Sequence, residues 1–416
     1  MTSIEETYDV IVIGGGASGM MAAGKAGERG RRVLLLEKNR KLGEKLKISG
    51  GGRCNITNAE DDVRTLLKAY GKAEPFLHSL FANFGVKETF SFFESKGLPL
   101  IVQDRKRVFP KTQKASDVCK TLEEYLHQGK VTIKTGSPVT RVVVEDRNIV
   151  AVMCGEISYR AESYILATGG VSRPETGSTG DGFAWLRDIG HTVLKPTPSI
   201  VPLKVAEKWV KELAGVSLSP MKITFFADGK KQFSEIGKIL FTHFGISGPL
   251  VLNSAQKIAD LLHSGAVTAH IDLYPKQDLG ALERHLISIF DGHKNKTLKN
   301  VLKEIVPEGM SRGLLTLFED EVYVATPVHS ITREQRKKLV HTLKALPLTI
   351  TGLMGFDRAV VADGGVPLEE IDMRSMRSNK IQNLFITGDL LHINRPSGGF
   401  SLQLCWSSGY VAGDSA

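Results

Sequence analysis

Cysteine is scarce in this chain, and its spacing is uninformative. Cys54, Cys119, Cys154 and Cys405 are scattered over 416 residues with no Cys-x-x-Cys and no His/Cys ligand pattern. That argues against a zinc or disulfide framework and suits a reducing compartment, so no metal and a cytoplasmic location are expected. No apolar run approaches the ~18 residues of a membrane span, and the polar, acidic residues 1–7 do not resemble a secretory signal. Lys and Arg outnumber Asp and Glu by 54 to 45, a formal charge of +9, yet no long basic tract occurs. The clusters are short, at residues 31–32, 45–47, 105–107 and 336–338. A solvated basic surface accounts for them more simply than a nucleic-acid site does, and no RNA-binding motif accompanies them. Internal repeats are also missing.

Hydrophobic content of 42% and charged content of 24% are those of a globular protein. The length calls for two or three domains. Residues 8–38 carry the strongest local signal: a buried strand, a Gly14-x-Gly16-x-x-Gly19 turn, a small-residue helix and a second strand ending at Glu37. Each part has a separate role in holding a dinucleotide. Gly14 makes the tight turn, and Gly16 has no Cβ to block a pyrophosphate. Gly19 permits close packing of the helix, and Glu37 accepts hydrogen bonds from a ribose. The phosphates would rest on unpaired N–H groups at the positive end of the helix.

Residues 38–58 are basic and glycine-rich, and read as a loop drawn against a ligand. Residues 63–97 turn helical, with Phe76, Leu80, Phe81, Phe84, Phe92 and Phe93 as apolar anchors. Residues 114–127 form another helix, while 131–146 and 150–159 read as strands. Residues 162–168 form an apolar strand running into Gly169-Gly170. Pro196, Pro198 and Pro202 mark a domain crossing. Strands then follow at 221–226, 238–241 and 267–273, with helices at 250–262, 281–290 and through 300–346. A strand at 383–387 leads to Gly388-Asp389, and a last helix spans about 400–412. The expected architecture is α/β: a Rossmann-like nucleotide domain built from residues 1–195 and 363–416, with an insertion between. The insertion divides into a β-rich domain (196–275, returning at 347–362) and a helical subdomain (276–346).

These pieces together resemble one group of FAD flavoproteins, labelled NAD(P)/FAD-dependent oxidoreductase or aminoacetone oxidase family FAD-binding enzyme. The resemblance rests on four motifs: the fingerprint, residues 50–58 (GGGRCNITN), residues 241–249 (FTHFGISGP), and the C-terminal FITGD (385–389) with Gly398, Gly399, Phe400, Gln403 and Trp406. It implies a glutathione-reductase-type FAD domain, a β-rich substrate domain and a small helical insertion. Aminoacetone oxidation and reduction of dehydro-bile acids are both assigned within the group, and most members have no established substrate. Carried onto this chain, Gly14, Gly16, Ala17, Ser18 and Gly19 cradle the pyrophosphate, and Glu37 the adenosine ribose. Lys38 and Lys45 neighbour the cofactor, and Ser49, Gly50, Gly51, Arg53, Cys54 and Asn55 pass near the flavin. Val139 contacts adenine, Thr168 and Gly169 line the AMP half, and Gly388 and Asp389 meet the ribitol. Gly399, Phe400 and Gln403 present a helix start to the flavin's pyrimidine end, where a reduced ring gathers negative charge.

Catalytic side chains are less legible. Cys54 lacks a resolving partner, so it is read first as a flavin-contacting structural residue, then as packing, and last as a catalytic thiol. Arg53 and Asn55 suit either ligand orientation or loop support. His243 precedes a glycine turn suited to anion binding or proton transfer, with a packed histidine as the plainer reading. His392 and Arg395 lie between the ribitol turn and the flavin helix, where Arg395 holds either a carboxylate or its own loop. Gly177 to Gly182 follow no strand, so they cap a helix and form no second dinucleotide site. NAD(P)H therefore stays open as an electron donor without a Rossmann module of its own.

The expected function is FAD-dependent hydride transfer to or from a small organic molecule, as an amine oxidase or an enone-type reductase, in a monomer or homodimer. The rivals are a flavin-dependent tRNA-modifying protein and a non-catalytic flavin sensor.

Overall fold

A computed structural model describes residues 5–319 and 321–416, and these divide into two compact units. The first contains residues up to Pro198 and from Ala359 onward; the second runs from Ser199 to Arg358.

The first unit is built on a parallel sheet. Strand β1 (Glu5–Ile13) leads into helix α1 (Ala17–Glu28) and strand β2 (Val33–Leu36). Helix α2 (Ala115–Gln128) precedes β3 (Thr132–Lys134), then come β4 (Ile157–Leu166), β5 (Leu384–Ile386) and the last helix, α3 (Phe400–Ser415). Hydrogen bonding orders them β5–β4–β1–β2–β3, all parallel. Residues 10–13 and 33–36 are wholly apolar and buried, as strands covered on both faces must be.

Helix α1 lies against its neighbours without large side chains at the crossings. A Cβ on Gly24 would meet the Tyr125 ring of α2 at 2.3 Å. One on Gly409 or Gly413 of α3 would meet the carbonyl oxygens of Ser18 and Ala22 at 2.3 and 2.2 Å. The two ends of the chain are thereby joined backbone to backbone.

The proline-rich crossing is an extended strand, Leu194–Ser199, paired among the described residues only with Val361–Gly365. A two-stranded ribbon leaves room for Pro196 and Pro198, which a central strand would not. Residues 38–58, expected as loop, contain a short helix (Glu44–Ile48) and a short strand (Thr57–Asn58), and Cys54, Ile56 and Thr57 are fully buried.

The second unit is a closed six-stranded barrel. Its strands are Leu203–Val205, Gly245–Ser247, Lys230–Thr242, Ser217–Ala227, Val267–Asp272 and Leu346–Leu353, in hydrogen-bonded order. Helices between residues 279 and 344 share one apolar cluster with the barrel, joining Phe225 and Ile271 to Leu286, Leu302 and Leu339. No helix among the described residues is long and apolar enough to cross a membrane.

Candidate cofactor and active site

The carboxyl ends of β1, β4 and β5 converge in the first unit, and each opens into a glycine turn. At the end of β1, Gly14 has φ +108°, and a Cβ there would lie 2.5 Å from the Ala167 carbonyl oxygen. Gly19 approaches more closely still, since its Cβ would fall 1.8 Å from the Gly14 oxygen. Between them, a Cβ on Gly16 would meet nothing within 4 Å. That open space faces the first turn of α1, which has neither a side-chain cap nor an acidic residue. Ala17 and Ser18 therefore begin a helix whose leading N–H groups are free to hold an anion.

Glu37 is buried, and its carboxylate accepts the N–H groups of Gly15 (2.6 Å) and Asn39 (2.7 Å). It ties the phosphate turn to the end of β2, and each oxygen keeps a lone pair for a further donor. Lys38 reaches away to Thr179 and to Asp181 (2.7 Å), where it anchors the start of helix Asp181–Asp188. Lys45 points inward. Its ammonium has Ser172 Oγ at 3.3 Å, and burial pushes its pKa below the usual lysine range against the pull of Asp389.

After β4, Gly169 has φ +70° and packs on Ser178, while Gly170 packs on the Asp389 backbone. Thr168 packs against Gly182, and Val139 is half-buried against the core. After β5, Gly388 has φ +62° and donates its N–H to Ser408 Oγ at 3.1 Å. Asp389 pairs with Arg395, a buried guanidinium that also donates to Ser401 Oγ (3.1 Å) and the Ile393 carbonyl (2.6 Å). Arg395 therefore holds its own loop and is not free to fix a substrate carboxylate.

Residues 49–55 follow the short helix Glu44–Ile48. Gly50, Gly51 and Gly52 have φ of 56°, 69° and 82°, and Cys54 joins them at 60°. Ser49 donates Oγ–H to Leu46 O at 2.7 Å, closing the preceding helix. Cys54 is fully buried, and burial pushes its thiol up to about 12 against a hydrogen bond with Ser49. A nucleophilic thiol needs the opposite environment. Arg53 stacks on Phe109 at 4.3 Å and bonds Gln103 and Gln113.

At the start of α3, Gly399 (φ +105°) packs against the Thr57 carbonyl, and the first turn has no side-chain cap and no acidic residue. The Phe400 carbonyl accepts from Tyr70 OH at 2.9 Å. Gln403, expected to face the flavin, is instead fully buried. Its Oε1 accepts from Thr57 (2.6 Å) and Thr89 (3.0 Å), and its Nε2 donates to Ser407 Oγ (3.1 Å). It braces the helix start from beneath. His243 lies in the second unit at the hairpin turn after Thr242; it is exposed and edge-on to Phe244, not packed in a core.

Some buried polar atoms have no hydrogen-bond partner. Among the described residues of the first unit these are Asn55 Oδ1, Asp363 Oδ1 and His392 Nδ1. The last two face each other at 3.5 Å, too far for a good hydrogen bond. Orphaned atoms inside a native structure call for a ligand or water. Two uncapped helix starts, one inward ammonium and the orphaned Asn55 oxygen fit a dinucleotide cofactor with a hydrogen-bonding ring. Gly15, Ser172, Thr387 and Ser408 were not singled out from the sequence. Three of them are small polar residues that the fold buries.

The chain matches the description "HI0933-like protein Rossmann domain" over residues 8–415. It is 31% identical over 409 residues to the 3-dehydro-bile acid delta(4,6)-reductase of Clostridium scindens, covering 97% of this chain and 98% of the relative. It is 30% identical over 410 residues to the ribosomal RNA dihydrouridine synthase of Escherichia coli, covering 98% and 97%. Among solved structures, a 3-ketosteroid-delta4-(5alpha)-dehydrogenase from Rhodococcus jostii shares the fold with a TM-score of 0.56 at 15% identity, covering 99% of this chain and 96% of that one. The chain belongs to the HI0933-like Rossmann family and is an FAD-dependent oxidoreductase.

Proposed function

We propose that this protein reduces a carbon–carbon double bond conjugated to a carbonyl. The observation that carries this is the chemistry shared by two full-length relatives. A delta(4,6)-reductase acting on a 3-dehydro-bile acid removes unsaturation conjugated to a ring ketone. A dihydrouridine synthase saturates the C5=C6 bond of uracil, conjugated to C4=O. In both, a hydride enters the carbon β to the carbonyl and a proton the carbon α to it.

Reduced FAD supplies the hydride from N5. The first turn of α1, from Gly16 to Gly19, holds the pyrophosphate with the Lys45 ammonium beside it. Glu37 accepts the ribose hydroxyl, with Val139, Thr168 and Gly169 along the AMP half. Gly388 and Asp389 meet the ribitol, with Asp389 oriented by Arg395. The Asn55 carbonyl would accept a hydrogen bond from the flavin ring, and the start of α3 at Gly399 and Phe400 would set positive dipole against its pyrimidine end. His392, facing Asp363, holds the proton at a ring nitrogen.

The test is anaerobic: dithionite-reduced holoenzyme is mixed with a 3-oxo-4-ene steroid, and the return of the oxidised flavin spectrum is followed. Reoxidation by conjugated carbonyls and not by saturated ketones is expected. If only oxygen reoxidises the flavin, while amines such as aminoacetone reduce it, the protein is an oxidase and this reading is wrong. NAD(P)H as the donor is tested by the same spectrum in reverse.

A second reading keeps the chemistry and changes the substrate to uracil within RNA. The dihydrouridine synthase relative and the charge of +9 favour it.

A further inference from the structure

We propose that the hairpin of Leu100–Gln103 and Arg107–Pro110 is a docking surface for the phosphate backbone of an RNA substrate. This rests on the uracil reading above and names the partner's contact surface. The segment from Pro99 to Lys114 carries five basic residues and one acidic. Its tip, Asp104–Lys106, places Arg105 and Lys106 in the left-handed region at φ +60° and +57° on exposed backbone. Lys106 is neutralised by Glu60 at 2.8 Å, but Arg53, Arg105 and Arg107 pair with no carboxylate among the described residues.

Strand register puts the arginines on one face. Gln103 pairs with Arg107 and Ile101 with Phe109, so Ile101, Gln103, Arg107 and Phe109 project to the same side. Phe109 carries Arg53 at 4.3 Å and Arg107 at 5.9 Å over its ring. Two guanidinium groups with no carboxylate partner, supported on one aromatic ring, form a preorganised site for phosphate oxygens or a splayed base. Ile101, 41% exposed beside them, supplies apolar area for a base face.

The hairpin is also wired to the candidate site. Asn58 donates to the Arg105 carbonyl at 3.2 Å and to the Gly398 carbonyl at 3.1 Å, bridging the tip to the loop that starts α3. Strand Thr57–Asn58 pairs directly with Arg107 and Val108. RNA held by this surface lies beside residues 49–58, which wall the flavin site in the proposed function.

The experiment compares wild-type holoenzyme with the double variants Arg105→Glu/Arg107→Glu and Arg105→Gln/Arg107→Gln. The probe is a fluorescently labelled ribosomal RNA stem–loop, with heparin as the polyanion control. Wild type should bind the stem–loop with a steep salt dependence. The variants should bind at least about tenfold more weakly, with the slope of log K against log salt flatter by roughly two contacts. FAD content and reoxidation by 2-cyclohexenone should be unchanged; if the Glu pair loses flavin, the Gln pair supplies the comparison. Unchanged RNA affinity in the variants overturns the proposal, as does wild-type binding no tighter to RNA than to heparin. Failure of wild-type RNA binding with enone turnover intact sinks this surface and the uracil reading while the enone-reductase reading stands, whereas RNA binding without any turnover sinks the reductase reading instead.

Discussion

The two units bury polarity in different ways. Of the seventeen buried polar or charged residues among those described, only Ser199 and Ser254 belong to the barrel unit. Ser254 merely returns a hydrogen bond to Leu250 within its own helix. The first unit buries Glu37, His191 and Gln403, each hydrogen-bonded across long sequence separations, and Arg395, which ties together its own loop. An apolar core tolerates many rearrangements of similar volume, but a satisfied polar network admits one. The unit that must hold a cofactor in one geometry is the one whose interior is specified by hydrogen bonds.

The sharpest break in that comparison comes from the backbone crossings of the first unit. Gly19→Ala or Gly409→Ala forces a methyl against a carbonyl oxygen, and no folded yellow protein is expected on expression, whereas Gly16→Ala should fold and lose FAD affinity. Circular dichroism and the flavin spectrum separate the two outcomes. Next come a matched pair, Arg395→Ala and Phe225→Ala, each expected to cost about 3–5 kcal/mol by denaturant unfolding. The first strands Asp389 and should also raise the FAD Kd; the second empties a barrel core position and should not. Equal effects on FAD would erase the distinction between the units. Gln403→Leu should be milder, about 1–3 kcal/mol, because Thr57 and Thr89 lose their acceptor.

The smallest expected effect concerns acid stability. His191 Nδ1 lies 2.7 Å from Glu370 and Nε2 lies 2.8 Å from Ser378 Oγ, whose oxygen accepts the Lys380 and Ile381 N–H groups. That network assigns a neutral imidazole, protonated at Nδ1, and burial lowers its pKa despite Glu370. Burial alone would raise Glu370, but hydrogen bonds from Lys380, Thr192 and His191 outweigh it and hold the carboxyl at about 2. A depressed carboxyl pKa stabilises the fold above pH 4.5, and the benefit fades as pH falls toward 2. His191 acts in the same direction, below its ordinary value of 6.5. Unfolding free energy should therefore decline on acidification, and Glu370→Gln should flatten the lower part of that decline. An unaltered profile in the variant would remove Glu370 as its source.

Several elements were legible because their physics is local. Gly14, Gly16 and Gly19 announce a turn and a helix start at fixed spacing, and the apolar runs of β1 and β2 read as doubly covered strands. The proline cluster marked the crossing at the unit boundary. The resemblance placed Gln403 at the flavin, and Arg395 was read as holding either a carboxylate or its own loop; their partners, Thr57, Thr89 and Asp389, come from distant or folded-back segments. For His243 a packed histidine was the plainer reading beside anion binding or proton transfer, since a hairpin tip and a buried turn share the same glycine pattern.

What the amino-acid order determined alone was the β–α–β cradle, because a strand, a tight turn and a helix need only neighbouring residues to define them. The tertiary structure alone decided which polar groups remain available. Arg395 and Gln403 are occupied, while the Lys45 ammonium is buried and Asn55 Oδ1 and His392 Nδ1 lack hydrogen-bond partners. Hydrogen-bond satisfaction is a property of contacts between remote segments, and those exist only once the chain has folded.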